Sequence, residues 1–534
     1  MIMKDGVNKK IVLSSAIGTA ALAAGYYYLR DEFVRSGTFS DLRKIADTQM
    51  FDVCIIGSGF AGTILGTLLV ESGARTVILE SGKNLANWML DSRINELASY
   101  QTTGNTNYPE AKTRARAFGG NSNFWTGRCD RLHPSDFEAN PYTPDGSSWP
   151  FSYSEFEPYY EKAEKILRVR GGNLSEYSPP RRINFPLPPK PDISALKAMM
   201  AEYGVTIDDS PTATPTRGLR FFRVSKEILP RYLNSSSGTL ISGATVTRLI
   251  SDDERRIVAA EVRSLDGGKT TVNARLFVLA CGGIENPRLL LLSRSELLPN
   301  GIGNSYDRVG RGFNEHAGVN FYARIPHRWS TIYPRHKLGR SHQYYDLYRK
   351  ENLGSILPVF TQSWVFPHHL REFRIAELPM KTFSMLSRLK RAQIYIGSTI
   401  EMLPDDSNRV MLSKNMKDCF GDPIPHLHFS YTDQDIKTLN VARSLIRGIF
   451  KKMNAQDIRE VEVTWSRHHI GTNRIGNNPK TSVTDQTLRV HDTPNLYLCG
   501  SDVFVTGGAV PPVLTITALT FRLADHLITR LESG

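Results

Sequence analysis

The stretch Asp52–Gly62 constrains this chain more than any other. It reads DVCIIGSGFAG, an apolar run that enters three glycines spaced G-x-G-x-x-G and continues as TILGTLLVES. That order predicts strand, tight turn and helix. Gly57 permits the turn, Gly59 lets backbone amides approach a pyrophosphate, and Gly62 lets the helix pack on its strand. Phe60 and Ala61 open the helix, whose N-terminus faces the negative phosphates. A second apolar run, Thr76–Glu80, ends in an acid about 20 residues on, the spacing of a carboxylate that binds a ribose hydroxyl. A lone glycine motif is weak. Strand, helix and acid in register predict an α/β, Rossmann-like fold that binds a dinucleotide through Gly57, Gly59, Phe60, Ala61, Gly62 and Glu80.

At 534 residues the chain exceeds one compact core, so more than one domain is expected. The runs TLISGATVTRLIS, RIVAAEVRS and TTVNARLFVLA, between Thr239 and Ala280, predict a small sheet, and Val246 in the first is an expected cofactor contact. Leu276–Ala280 is continuously apolar, as a buried central strand should be. Gly282 and Gly283 then turn it into the helix IENPRLLLLS. A helix is also expected over Trp149–Arg168, with Ser154 ahead of its first acids. From about His316 to Ser466 strand-like runs are long and aromatic. This predicts a separate domain on an antiparallel sheet, with a helix at Asp433–Lys452. The expected division is 1–35 as an N-terminal apolar segment, 48–315 as the first part of the cofactor domain, 316–465 as the substrate domain and 466–534 as the returning cofactor part. Ser36–Met50 reads as a linker with helical character.

Net charge is +13, but Lys and Arg are scattered and no basic stripe interleaved with aromatics marks a nucleic-acid site. A solvated basic surface is the plain reading, and an anionic membrane or glycan the functional one. The five cysteines contain no C-x-x-C pair, so neither a zinc site nor a disulfide framework is expected. Cys54, Cys281 and Cys499 lie on or beside apolar strand-like runs and read as small buried hydrophobes. Residues 11–29 form an uncharged apolar run after Lys9 and Lys10, just long enough to span a bilayer. An uncleaved anchor, a cleaved signal and a peripheral tail all fit it, and the side of the membrane stays open.

Three further segments favour FAD over NAD. Gly119, Gly120, Asn121 and Ser122 form a second glycine loop, GGNSNFW, able to approach a flavin. The strand Leu276–Ala280 ends at Cys281, Gly282 and Gly283. Asp502 follows the strand NLYLCGS and reads either as a ribityl or pyrophosphate contact or as a turn cap. Downstream of the middle region lies HHIGTNRIG, a histidine pair on a glycine loop, and then GGAVPPVLTITALTFRLAD.

Together GSGFAG, ILESG, AFGGNSNFWTGR, WPFSYSEFEPYYEKAE, VLACGGIENPRLLL, VGRGFNEH and the C-terminal block resemble the glucose-methanol-choline (GMC) oxidoreductases, nearest their pyranose oxidase and sugar dehydrogenase side. The resemblance spans about residues 51–528. It implies FAD in a Rossmann-like domain of discontinuous segments, and an antiparallel sheet on the substrate side. It implies oxidation of an alcohol, such as a sugar or polyol, to a carbonyl. A base takes the hydroxyl proton while hydride moves to the flavin. It assigns the base to His469, with His468 structural. Oxygen, a quinone or a cytochrome would take the electrons. Two positions depart from the family. Phe124 stands where relatives can carry a histidine bonded to flavin, implying noncovalent FAD. Pro511 stands where relatives carry Asn or His beside the substrate hydroxyl, and proline offers no polar side chain or N–H. Asn473 is a candidate substitute. The alternatives are a flavoprotein that has lost alcohol oxidation and serves as a scaffold, or one with a changed reaction.

Overall fold

A computed structural model describes residues 39–40, 49–83, 92–106, 108–109, 113–139, 141, 143, 146–189, 193–216, 221–325, 338–347, 349–365 and 391–533. The apolar segment 11–29 and most of the linker lie outside the described residues. Among those described, no helix is long and apolar enough to cross a membrane.

The strand Met50–Ile56, helix Phe60–Glu71 and strand Thr76–Glu80 form in the predicted order. They sit at the centre of an eight-stranded sheet. Parallel to them run Phe39–Ser40, Gly238–Ser242, Lys269–Leu279 and Leu496–Leu498. The run at Thr239 does not make a separate small sheet. It breaks at Gly243, whose φ is +65°, so Gly238–Ser242 joins the parallel sheet beside Thr76–Glu80. Thr245–Ser251 and Ile257–Arg263 continue the sheet as an antiparallel meander.

Lys269–Leu279 joins the two regimes. Its first half pairs antiparallel with Ile257–Arg263, and its last residues, Phe277–Leu279, pair parallel with Leu496–Leu498. Along its other edge runs Met50–Ile56. This register brings the C-terminal block to the carboxyl ends of the parallel strands, where open α/β sheets bind ligands.

A six-stranded antiparallel sheet runs in the order Gln456–Trp465, His316–Arg324, Arg391–Glu401, Ile356–Val365, Leu338–Arg340 and Asp208–Asp209. Its last edge strand lies outside 316–465. Within that interval the hairpin Arg409–Lys417 and Pro423–His428 leaves the sheet and pairs with Gln101–Thr103. Helix Asp433–Lys452 has the expected bounds and packs on His316–Arg324 and Arg391–Glu401. Thr432 caps it reciprocally with Asp435, and Leu439, Ala442, Ile446, Ile449 and Phe450 form its buried face. The helix expected near Trp149 spans Tyr153–Ile166. Ser152, not Ser154, is its cap, because only Ser152 stands three residues before the Glu155 that completes a capping box.

Candidate functional site

A cavity of about 510 Å³ opens at the carboxyl end of the parallel strands. Gly57, Gly59, Phe60, Ala61 and Glu80 line it, as do Gly120, Asn121, Val246 and Gly282. Gly57 has φ +102°, and a Cβ there would lie 2.7 Å from the Ala280 carbonyl oxygen. Gly62 stands behind this wall, where a Cβ would collide with the Gly57 carbonyl, so it serves helix packing as predicted. A Cβ on Gly59 or Gly282 would meet nothing within 4 Å, so these glycines keep space open for a ligand. The first-turn amides of Phe60–Glu71 have no intrahelical partners and favour phosphate.

Glu80 is held in place by the turn it faces. Its Oε2 accepts from Ser58 N–H (3.0 Å) and Ser58 Oγ–H (2.7 Å), and its Oε1 from Gly82 N–H (2.9 Å). A carboxylate with further lone pairs remains able to accept a ribose hydroxyl. Glycine motif, open glycines, anchored acid and helix N-terminus fit an FAD molecule.

The loop 117–125 meets this turn where a Cβ on Gly120 would approach Gly59 Cα at 3.4 Å. Its residues divide. Gly120 and Asn121 line the cavity, while Gly119 and Ser122 are not among its lining residues. Gly119 N–H donates to Ser58 Oγ (3.3 Å), and Ser122 is fully buried. The Asn121 side chain is committed to its own loop, accepting from Ala115 N–H (2.8 Å) and donating to Thr113 O (3.1 Å). One N–H and one lone pair of this amide remain for a ligand. Phe124 lines the cavity and is 49 % exposed.

Asp502 does not line the cavity. It is fully buried, and its Oδ2 accepts from Asn286 Nδ2 (2.9 Å) and Asn473 Nδ2 (3.0 Å). Asn473 N–H also donates to Asp502 O (2.7 Å). Through Oδ2, Asp502 thus ties the helix Gly282–Leu292 and the 468–476 loop to the 500–503 turn, while its buried Oδ1 has no partner. The same bond engages the Asn473 amide nitrogen, and its buried Oδ1 has no partner. Pro511 is buried behind the lining residues Pro512 and Val513. Pro512 caps the final helix, Val513–Glu532, whose first turn faces the cavity.

His468 and His469 both line the cavity, in unlike settings. His469 is 6 % exposed and packed against the rings of Tyr108 and Phe313. Its Nε2 is sealed from solvent and has no partner. Burial, then Arg114 and Arg467, push its pKa down to about 3. His468 is half-buried, and its Nδ1 lies 2.8 Å from His316 Nδ1. Its pKa is also well below the ordinary range, through burial and then His316, His469 and Arg340. Both rings thus border the cavity, His468 half-buried and His469, the ring to which the resemblance assigns the base, enclosed.

Sequence reasoning missed a charged corner of the same cavity. Glu285 pairs with Arg114, with Arg116 (3.1 Å) and with Arg288 (3.4 Å). Burial alone would raise the Glu285 carboxyl, but the three guanidinium groups hold it well below the usual range. The only sequence signals were the alternation of Arg114 and Arg116 and an acid in the first turn after Gly282-Gly283. Cys281, expected to be buried, is half-buried at the cavity wall and donates from Sγ to Ile56 O (3.1 Å).

Comparison with known proteins gives a consistent picture. Family models described as GMC oxidoreductase match residues 217–318 and 404–520. The fructose dehydrogenase large subunit of Gluconobacter japonicus is 26 % identical, over 91 % of this chain and 99 % of its own. Paromamine 6'-oxidase of Streptomyces fradiae is also 26 % identical, over 91 % of this chain and 93 % of its own. Among solved structures, pyridoxine 4-oxidase from Mesorbium loti superposes with a TM-score of 0.62 at 19 % identity, covering 89 % of this chain and 99 % of that one.

Proposed function

The chain belongs to the GMC oxidoreductases, FAD-dependent enzymes acting on CH–OH donors, and on that premise we propose that its donor is a sugar, polyol or related alcohol. Support comes from the relatives whose names specify a fructose dehydrogenase and a paromamine oxidase. The observation that carries the reading is a half-buried imidazole, His468, in the wall of the same cavity as the Gly57–Ala61 turn.

FAD supplies the hydride acceptor when bound. Gly57, Gly59 and the first-turn amides of Phe60–Glu71 would hold its pyrophosphate, and Glu80 its ribose. Val246 and Gly282 border the remainder. Phe124 leaves the cofactor noncovalent. The first turn of Val513–Glu532 favours negative charge at its end of the cavity. One member of the His468–His469 pair accepts the substrate hydroxyl proton, and we assign this role to His468 rather than His469. A positioned base supplies about 10²–10⁴-fold in rate. That is sufficient for turnover without a polar group at Pro511.

The chain organises as a cofactor unit drawn mainly from 48–315 and 466–534 around a substrate unit drawn mainly from 316–465, with Asp208–Asp209 joining the latter's sheet and the 409–428 hairpin leaving it. Residues 11–29 attach the protein to a membrane, and the electron acceptor is a quinone or cytochrome rather than oxygen. Removing residues 1–35 should release the protein to the soluble fraction. Full turnover with oxygen and none with a quinone analogue would overturn the acceptor assignment. The donor is tested by anaerobic bleaching of bound FAD across a carbohydrate and alcohol library, with product identification. Bleaching by sugars or polyols with a carbonyl product is expected. No bleaching by any hydroxyl compound would overturn the proposal.

A further inference from the structure

His316 and His468 come from distant parts of the chain and meet ring to ring. His316 opens the strand His316–Arg324, and His468 follows the neighbouring strand Gln456–Trp465. Glu315 fixes both backbones, because its Oε1 accepts from His316 N–H (2.8 Å) and His468 N–H (2.7 Å). Its Oε2 accepts from Tyr108 Oη–H (2.8 Å). The two Nδ1 atoms end 2.8 Å apart, with the rings at 84°.

Two neutral imidazoles at that distance share one hydrogen, so one Nδ1 donates and the other accepts. The remaining nitrogen of each ring decides which. His316 Nε2 is sealed from solvent. It lies against the glycine turn before Pro511, where a Cβ on Gly507 would sit 2.9 Å away. Burial pulls the pKa of this ring down to about 4, so it is neutral, and the backbone of Gly508 and Gly507 opposes that shift by favouring a hydrogen on the side facing them, although no carbonyl completes a well-aligned bond. A buried nitrogen facing carbonyls keeps its hydrogen. His316 is then the Nε2–H tautomer, and its Nδ1 is an acceptor.

We propose that His316 is a positioning residue that holds His468 in its Nδ1–H tautomer, leaving the His468 Nε2 lone pair for the substrate hydroxyl. This rests on the reading of His468 as base. The substrate O–H bond breaks, the proton ends on His468 Nε2, and the Nδ1–H···Nδ1 bond becomes charge-assisted. The orienting group is a neutral ring, not a carboxylate. The other groups around His468 are Glu315, which is buried, Arg340 and His469. Such a dyad gives a weak base that stays unprotonated in mild acid.

The test is anaerobic stopped-flow reduction of bound FAD by a bleaching substrate in His316→Leu, His316→Asn and His468→Ala, each checked for FAD content. His316→Leu should slow reduction about 10–100-fold with little change in substrate affinity. His316→Asn, whose Oδ1 accepts at nearly the same place, should restore most of the rate. Equal slowing by Leu and Asn overturns the proposal, as does a wild-type rate in His316→Leu when His468→Ala is slow. A wild-type rate in His468→Ala instead defeats the base assignment itself. Should His316→Leu fail to hold FAD, His316→Asp decides. A carboxylate acceptor should move the acid limb of the rate–pH profile upward, and an unmoved limb contradicts the tautomer role.

Discussion

Gly62 has no room for a methyl group, because a Cβ would meet the Gly57 carbonyl, whereas a Cβ on Gly59 would enter open cavity. The two substitutions should therefore separate. Gly62→Ala should lower thermal stability in the FAD-free protein as well as FAD content, since helix and turn must part. Gly59→Ala should leave the melting temperature of the FAD-free protein near wild type and weaken FAD binding. Calorimetry and cofactor titration distinguish them. The close packing at Gly62 follows from the spacing of the motif, so this part of the fold was legible in the sequence. The histidines were not. HHIG places two imidazoles on one loop, but adjacent residues face different surroundings, and only the packing of Tyr108 and Phe313 shows which is enclosed. The surroundings of Asp502 were hidden for a related reason: nothing near it in sequence shows that two asparagine amides hold its Oδ2.

At the scale of elements, the helices were read well where a cap and a periodic apolar stripe agree. Asp433–Lys452 has both. Thr432 accepts from Asp435 N–H (3.1 Å), and Asp435 accepts from Thr432 N–H (2.9 Å). Asp435 Oδ1 also takes the Leu403 N–H (3.0 Å), tying the helix start to the end of Arg391–Glu401. Thr432→Ala should cost about 1 kcal/mol in urea unfolding, with an unchanged m-value. Strand partners were less legible. The run TLISGATVTRLIS alternates like one strand, and nothing local reveals that Gly243 sends its halves to different neighbours. Very short strands such as Asp208–Asp209 carry no periodicity at all, so the far edge of the six-stranded sheet was invisible.

On the scale of the molecule, buried charge ties the cofactor side to the six-stranded sheet. Arg349 pairs with Asp136 and approaches Glu401 at 3.7 Å. Tyr345 Oη–H donates to Asp136 (2.9 Å), Gly508 N–H to Glu401 (3.0 Å) and Ala509 N–H to Tyr345 Oη (3.1 Å). This cluster fixes the glycine turn that leads to Pro511. Arg349→Met leaves two buried carboxylates uncompensated and should cost about 3–5 kcal/mol, read as a lowered urea midpoint. Glu315 gives the fold a distinct pH response. Burial pushes its pKa from 4.5 up to about 8 despite its hydrogen-bond donors. The folded protein thus binds this proton more tightly than the unfolded chain does. The associated stability is full below pH 4.5 and declines as pH rises through about 8. Glu315→Gln should flatten the fall in melting temperature across that window, and an unchanged slope would count against the burial argument. None of these long-range pairs was legible, because each joins residues far apart in the chain. The family motifs gave the cofactor and the chemistry, while folding alone brought His316 to His468.

The most direct test of the account compares His468→Ala, His469→Ala and wild type by anaerobic flavin reduction with the best sugar or polyol donor, at matched FAD content. Reduction should be slowed about 10²–10⁴-fold in His468→Ala. His469→Ala should lose mainly stability and keep most of the rate. Wild-type reduction in His468→Ala, with the loss falling on His469→Ala, would contradict it.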